Sequence, residues 1–360
     1  MNSLRYLSAV DVGAAMPPLD ERLDLAETTL RALGRAAELP PKIGVHPREA
    51  GSLAHAMPAL LRGEAVDGAQ DLIGVKWIAG FPENPSRGLP AYHAVVLLNH
   101  PLTGEPLAVM EAGSITAART SAISGVAIRH FLLERAGKAG ADGRSGAEGP
   151  AGAEGRAADV GTAAPLPGRA WRVAILGAGA QARGHLPIVG HLLPGARIRV
   201  VDLDPGRAAS IAAEGAATGG IGSIEVVASV RDAVERADVV LSMVSFGPNR
   251  QTLEPAWLAP EALIVAVDYD MQAPASLAGD ALFVVDERDQ FLAARSAGSF
   301  AEYPDPDGTI GDTLRGELAA PRTPGRTVVT HLGVGLADVV FAATVLARAE
   351  RLGLGRLLPR

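Results

Sequence analysis

A glycine-rich turn near the middle of the chain constrains the fold more than any other feature. Residues 171–177 form an apolar run of strand length and lead into residues 177–182, which read G-A-G-A-Q-A. A helix-like stretch follows, and then a second apolar strand that ends in Asp202. This order of a strand, a glycine turn, a helix, a second strand and an acid predicts a dinucleotide-binding βαβ unit. An ordinary βαβ turn is the alternative.

Each position of the turn has a physical reason. Gly177 permits the tight turn, and Gly179 lets the backbone approach a pyrophosphate. The helix N-terminus offers free N–H groups to the anion. Asp202 would accept the ribose hydroxyls, so we expect NAD in preference to NADP. The cofactor-binding residues predicted for this unit are Gly177, Gly179, Ala180, Gln181 and Asp202.

Strands alternate with helical segments from residue 171 onward, which predicts an α/β fold with a Rossmann-like, doubly wound parallel sheet. Ligands of such sheets bind beyond the carboxyl ends of the strands. Two strand-like runs, residues 237–242 and 263–267, end in polar side chains. The candidate site residues at these ends are Ser242, Ser245, Asp268 and Asp270, of which Asp268 is more easily explained as structural.

The first half of the chain follows a different pattern. A strand over residues 3–10 and a helix over residues 20–38 precede short strand-like runs, a hairpin and a helix over residues 115–134. This order predicts a second, α+β domain. Residues 137–168 are rich in Gly and Ala and carry almost no large apolar residue, so we expect a disordered insertion at a domain boundary.

Composition excludes several classes of partner and chemistry. The net charge of −7 disfavours nucleic acid and anionic membranes as partners. The absence of cysteine excludes disulfides and thiolate chemistry and fits a reducing cytoplasm. No apolar run is long enough for a membrane-spanning helix. His93, His100, His185 and His191 are spread out and lack ligand spacing, so we expect no metal site.

Two basic residues stand in unusual surroundings. Lys76 lies inside an otherwise apolar strand, where it either extends to solvent at an edge or is held over a ligand carboxylate. Buried lysines titrate low and can also transfer protons. Arg119 lies among small residues, which would let its guanidinium approach a carboxylate bidentately. A salt bridge from Arg119 to Glu111 or to a neighbouring chain is the alternative.

These segments resemble the ornithine cyclodeaminase/mu-crystallin family. The matching motifs are K-W-I-x-x-F-P-x-N from Lys76, I-T-A-A-R-T from Ile115, L-G-A-G-A-Q from Leu176 and L-G-x-x-L-x-D from Leu332. The resemblance covers nearly the whole chain except residues 137–168. It implies a homodimer in which residues 1–136 with 325–360 form the substrate-binding and dimerisation domain, and residues 169–324 form the NAD-binding domain.

The resemblance also implies roles for individual residues. Lys42, Lys76 and Arg119 would bind the substrate carboxylate, and Asp270 would be the catalytic base near a distal amine. Hydride would leave the α-carbon of an L-amino acid to give an imine. In a cyclodeaminase the distal amine then attacks, ammonia leaves and the hydride returns, so that ornithine becomes proline. Two further hydroxyls would contact the cofactor, those of Thr120 and Ser245.

Several positions depart from the ornithine-specific pattern. His55 stands where a cyclodeaminase has a glutamate, Ala91 replaces a substrate-contacting threonine, Pro274 replaces a lysine, and Lys42 replaces an arginine. Three functions therefore stay open. They are cyclodeamination of an ornithine-like diamino acid, which we expect first, a net NAD-dependent amino-acid dehydrogenase or imine reductase, and a non-catalytic ligand-binding protein.

Overall fold

The computed structural model describes residues 3–63, 70–136, 170–318 and 325–359. One eight-stranded sheet is built mainly from the first half of the chain, in the order β16-β1-β7-β6-β5-β4-β2, with β3 paired to β4. Most of its pairs are antiparallel, and β1 lies parallel to β7. Its strands are β1 (Ser3–Leu7), β2 (Ala37–Glu38), β3 (Ile43–Val45), β4 (Leu53–Leu61), β5 (Leu72–Gly80), β6 (Tyr92–Asn99), β7 (Pro106–Glu111) and β16 (Arg356–Pro359).

The second sheet also has eight strands, in the order β10-β9-β8-β11-β12-β15-β13-β14, and its pairs are parallel. The central strands are apolar and fully buried, as expected of a sheet covered by helices on both faces. The prediction of a Rossmann-like parallel sheet beside an α+β unit is confirmed. Its strands are β8 (Arg172–Leu176), β9 (Ala196–Val201), β10 (Ile221–Val226), β11 (Val239–Ser242), β12 (Leu263–Ala266), β13 (Leu282–Val285), β14 (Gly308–Thr309) and β15 (Thr327–Thr330).

Ten α-helices are described within these four stretches of chain. The predicted helix over residues 20–38 ends at Ala32. Leu33 is extended there with a ψ of 137°, and Gly34, with a φ of 72°, supplies the left-handed position of the β-turn that the Arg35 N–H closes on the Ala32 carbonyl. The helices are α1 (Ala9–Ala15), α2 (Leu19–Ala32), α3 (Gly113–Ile128), α4 (Ala180–Leu192), α5 (Pro205–Ala216), α6 (Val230–Val234), α7 (Ala275–Gly279), α8 (Arg288–Ser296), α9 (Ile310–Leu314) and α10 (Gly335–Leu352).

The position of β15 differs from the predicted division of the chain. The resemblance implies that residues 325–360 belong with the first half, but Thr327–Thr330 pairs with β12 and β13 inside the parallel sheet. This short run of β-branched residues can bury both faces there. The chain returns to the first sheet only with α10, whose Val339 packs against Gly74 of β5. The predicted insertion, residues 137–168, lies outside the described residues.

The helix α3 packs closely against α4, the helix that follows the glycine turn. A Cβ atom at Gly184 of α4 would lie 3.2 Å from the carbonyl oxygen of Ala117, and one at Gly125 of α3 would lie 2.9 Å from the Ile188 side chain. Small residues at these points let the two backbones approach. The segment of α3 that carries Arg119 is therefore held beside the start of the parallel sheet.

Candidate active site

The glycine turn has the geometry that the motif predicts. Gly177 has a φ of 92°, and a Cβ atom there would lie 2.7 Å from the carbonyl oxygen of Met243. Gly179 caps α4 without a side-chain hydrogen bond, and a Cβ atom on it would meet nothing within 4 Å. The Asp202 carboxylate accepts the Ala178 N–H at 2.7 Å and so braces the turn. An open helix N-terminus beside this acid fits a dinucleotide.

Lys76 and Arg119 meet at one buried carboxylate. Lys76 Nζ lies 2.6 Å from Asp338 Oδ2, and Arg119 Nε lies 3.1 Å from Asp338 Oδ1. The Lys76 side chain is 1% exposed, so it is not a lysine that extends to solvent at a sheet edge. Arg119 pairs with Asp338 and not with Glu111. No role was predicted for Asp338 from the sequence, although the motif L-G-x-x-L-x-D contains it.

The Arg119 guanidinium lies against the backbone of Gly333. A Cβ atom at Gly333, whose φ is 79°, would lie 2.4 Å from Arg119 Nη1, so this approach requires glycine. Among the described residues, Arg119 binds Asp338 through Nε, and its two Nη groups donate to no protein acceptor. These N–H groups can therefore bind a carboxylate in the two-point geometry typical of arginine.

Lys42 brings a third cation to the same region. Its Nζ donates to the Leu332 carbonyl at 2.6 Å and to the Tyr269 hydroxyl at 3.1 Å. His55 is half-buried nearby, and its pKa is lowered by burial and by the charges of Lys42, His46 and Lys76. The structure thus brings together the three cations that the resemblance assigns to the substrate carboxylate, and it places His55, the fourth predicted substrate-binding residue, near Lys42 and Lys76.

The cluster carries more positive charge than Asp338 offsets. Burial lowers the pKa of Lys76 to about 7, Asp338 opposes the shift, and Arg119 and Lys42 lower it further. A second carboxyl, that of Asp286, accepts the Gly333 and Glu287 N–H groups. Burial raises the pKa of Asp286, while Lys42 opposes that shift. A buried cluster with surplus cations is suited to bind a small carboxylate.

Asp270 is held by other partners. Its Oδ1 pairs with Arg250, and its Oδ2 accepts the Phe300 N–H at 3.0 Å. The Asp270 side chain is 1% exposed, and the ring of its partner Phe300 packs against other aromatic rings. Its neighbour Tyr269 has a φ of 62°, stacks on Phe300 and meets Lys42 through its hydroxyl. Arg250 is a partner that no sequence pattern predicted.

Asp268 forms a separate contact at the ends of β11 and β12. Its Oδ2 accepts hydrogen bonds from the Ser242 hydroxyl and, at 3.1 Å, from the Val244 N–H. Burial raises the pKa of Asp268 to about 6. Ser245 is exposed in the loop that follows β11, and Thr120 is buried in α3 beside Arg119. In the described stretches, no group of three or more His, Asp or Glu side chains could hold a metal ion.

The motifs and the fold agree with one family. The model of the ornithine cyclodeaminase/mu-crystallin family matches residues 5–141 and 164–352. The chain belongs to this family. Across the described residues, no helix is both long enough and apolar enough to cross a membrane.

Known relatives extend over the full length of the chain. The nodulation efficiency protein of Rhizobium meliloti is 28% identical over 99% of this chain and 98% of its own. The structure of Δ1-pyrroline-2-carboxylate reductase from Thermococcus litoralis, in complex with NADH and L-proline, matches with a TM-score of 0.76 and 22% identity over 98% and 99% of the two chains. An archaeal alanine dehydrogenase dimer with bound NAD matches with a TM-score of 0.75 and 23% identity over 99% of each chain. The similarity to both structures is one of fold.

Proposed function

We propose that this protein is an NAD-dependent enzyme that transfers hydride between the α-carbon of an L-amino acid and nicotinamide, with the corresponding imine as the oxidised form. The observation that carries the proposal is the buried cluster of Lys76, Arg119 and Asp338, with Lys42 beside it. The family and the NAD-bound or NADH-bound structures of the same fold support the choice of cofactor.

The glycine turn and Asp202 would hold the cofactor. The N–H groups at the start of α4 would bind the pyrophosphate, and the Asp202 carboxylate would accept the ribose hydroxyls. Ala180, Gln181, Thr120 and Ser245 complete the proposed contacts. When bound, NAD supplies the acceptor for the hydride. A cytoplasmic location stays a prediction.

The cations would orient the substrate. Arg119 offers two Nη groups to the carboxylate, and Lys76 and Lys42 add charge. Two points of attachment on the carboxylate restrict rotation about the bond to the α-carbon, so its C–H bond can be aimed at the hydride acceptor. Formation of the iminium removes one hydride from carbon and one proton from the α-ammonium. We propose that Asp270 accepts this proton through Oδ2 while its Oδ1 stays paired with Arg250.

The contact between Arg250 and Asp270 favours net oxidation or reduction over cyclodeamination. A cyclodeaminase needs an acid that is free to pair with the distal ammonium of a diamino acid. Here Arg250 already neutralises Asp270, and His55 and Pro274 remove polar partners that such a substrate would use. We therefore propose an amino-acid dehydrogenase or imine reductase, and cyclodeamination becomes the second candidate because of the family.

A homodimer is proposed from the outer face of the first sheet. Alternation along β5 places Lys76 inside and Trp77 outside, where Trp77 is 44% exposed and lies opposite Val95, which is 42% exposed. Ile73 extends the same face. An exposed apolar sheet face of this kind is typical of a surface that a second copy covers. The dimeric state of the archaeal alanine dehydrogenase, which has the same fold, supports this proposal.

The proposal is tested by incubating the protein with NAD and each common amino acid, and with NADH and cyclic imines such as pyrroline-2-carboxylate. The absorbance of NADH and the release of ammonia are followed together. A dehydrogenase or reductase changes the NADH absorbance, whereas a cyclodeaminase releases ammonia without a net change. Binding of amino acid and cofactor with neither signal would contradict an enzyme and favour the non-catalytic ligand-binding function.

A further inference from the structure

A buried series of hydrogen bonds joins α4 to His331, the residue that directly follows β15. The backbone carbonyl of Gln181 lies 2.7 Å from His185 Nδ1, and His185 Nε2 lies 2.8 Å from the Ser124 hydroxyl. The same hydroxyl lies 2.9 Å from His331 Nε2. None of the three side chains is more than 1% exposed. None of them has a role in the function proposed above.

Hydrogen-bond chemistry assigns every proton in this series. A carbonyl can only accept, so His185 Nδ1 must carry the hydrogen, and the neutral ring then accepts at Nε2. The Ser124 hydroxyl donates its single hydrogen to His185, which leaves its oxygen to accept from His331 Nε2–H. The neutral His331 ring therefore presents a lone pair at Nδ1.

Both rings are kept neutral by their surroundings. Burial lowers the pKa of His185 to about 4. The pKa of His331 is lowered well below its usual range by burial and by the charges of Arg119 and Lys42. A proton taken up at His331 could travel only as far as His185, because the Gln181 carbonyl cannot receive it. This series of hydrogen bonds therefore keeps each histidine in one tautomer and does not transport protons.

His331 Nδ1 is a buried acceptor with no hydrogen-bond partner among the residues that the structure describes. Such groups are rare because an unmade hydrogen bond in the interior costs free energy. Two residues of the carboxylate cluster contact the residues that follow His331 in the chain, and both lower its pKa. Lys42 donates to the carbonyl of the next residue, Leu332, and Arg119 lies against Gly333.

We propose that His331 Nδ1 accepts a hydrogen bond from the α-nitrogen of the bound amino acid, and that Ser124 and His185 are positioning residues that maintain its tautomer. The ligand assignment rests on the proposed function. In an α-amino acid the nitrogen and the carboxylate share one carbon. An acceptor on the residue next to those that Arg119 and Lys42 contact can therefore reach the nitrogen when these cations bind the carboxylate. The nitrogen is also the donor that α-amino acids have in common.

The tautomers can be measured without any ligand. Imidazole ¹⁵N chemical shifts of the protein labelled at histidine should show His185 protonated at Nδ1 and His331 protonated at Nε2 at neutral pH. In Ser124→Ala, we expect His331 to lose its single tautomer. A wild-type spectrum with His331 protonated at Nδ1, or charged, would overturn the proposal, as would an unchanged His331 spectrum in Ser124→Ala.

Two variants at position 331 test the ligand. His331→Leu removes the acceptor and should raise KM for the best amino acid about tenfold or more, with an unchanged Kd for NADH. His331→Asn, which restores an acceptor oxygen, should recover part of this loss. His191→Leu is the matched control, because His191 pairs with Asp20 at the surface.

Equal KM values for His331→Leu and wild type would overturn the ligand assignment. Failure of the proposed function gives a different result, in which the wild type binds no amino acid by calorimetry. That result would also exclude a hydrogen bond from the α-nitrogen to His331 Nδ1. The ¹⁵N spectrum of the ligand-free protein tests the predicted tautomers of His185 and His331 independently of any ligand.

Discussion

Lys76 Nζ and Asp338 Oδ2 lie 2.6 Å apart in the interior, and neither side chain is more than 1% exposed. The cost of removing two charges from water often equals or exceeds the Coulombic gain of such a pair. A pair of apolar residues would stabilise the fold at least as well. The pair is therefore better explained by a site that needs an inward-facing cation, with Asp338 making its burial tolerable.

The first prediction concerns Asp338. Asp338→Asn leaves Lys76 and Arg119 buried without a counter-ion, so we expect the free energy of unfolding to fall by about 3–5 kcal/mol. Glu350→Gln is a matched control on the same helix, because Glu350 is 56% exposed and 3.8 Å from Arg5. The control should change stability by less than about 1 kcal/mol. Urea unfolding of both variants measures the difference, and equal effects would contradict a structural role for Asp338.

The second prediction is a pH dependence of substrate binding. The pKa of Lys76 is lowered by burial to about 7, so the ligand-free site loses this cation as the pH rises above that value. We expect KM for the amino acid to rise on the alkaline side of about pH 7. Lys76→Arg keeps the charge at all accessible pH values and should abolish this rise. Parallel KM profiles for the two proteins would show that Lys76 does not bind the carboxylate.

The third prediction separates the proton acceptor from the substrate clamp. Asp270→Asn should lower kcat by roughly 10²–10⁴ with an unchanged Kd for NAD, because an amide of the same shape cannot accept a proton. Arg119→Met should act mainly on KM. Asp305→Asn provides a surface control, since Asp305 is 73% exposed in its pair with Arg295. A near-normal kcat for Asp270→Asn would transfer the role of base to another group.

The fourth prediction tests why diamino acids are disfavoured. Arg250→Gln removes the cation that neutralises Asp270 and leaves a buried carboxylate without its counter-ion. The ratio of kcat/KM for ornithine to that for an amino acid with an uncharged side chain should rise about tenfold or more. An unchanged ratio across steady-state assays would mean that Arg250 does not set this preference.

The fifth prediction concerns cofactor choice. The Asp202 carboxylate would repel a 2′-phosphate, so wild type should bind NAD more tightly than NADP. Asp202→Asn removes the charge and keeps an oxygen that can accept the Ala178 N–H. We expect this variant to lose most of the preference for NADH over NADPH, as measured by fluorescence titration with each cofactor. Tighter binding of NADPH by the wild type would contradict the argument.

Much of the nucleotide-binding unit could be predicted because its determinants are local. Gly177, Gly179 and Asp202 act through backbone geometry and the order of adjacent elements, which short sequence patterns record. Asp338 and Arg250 could not be predicted in the same way. Asp338 is separated from Arg119 by 219 positions in the chain, and only folding brings them together.

By itself, the sequence determined the parallel sheet, the glycine turn and the unusual setting of Lys76 and Arg119, because these depend on periodicity and local backbone preferences. The tertiary structure alone decided that β15 lies within the parallel sheet, that Asp338 joins Lys76 to Arg119, and that Ser124 links two histidines. Partner choice among buried polar groups depends on distances across the chain. From the sequence alone, several acids and hydroxyls could pair with each of these buried groups. Only the packing of the folded chain brings one of them within hydrogen-bond distance.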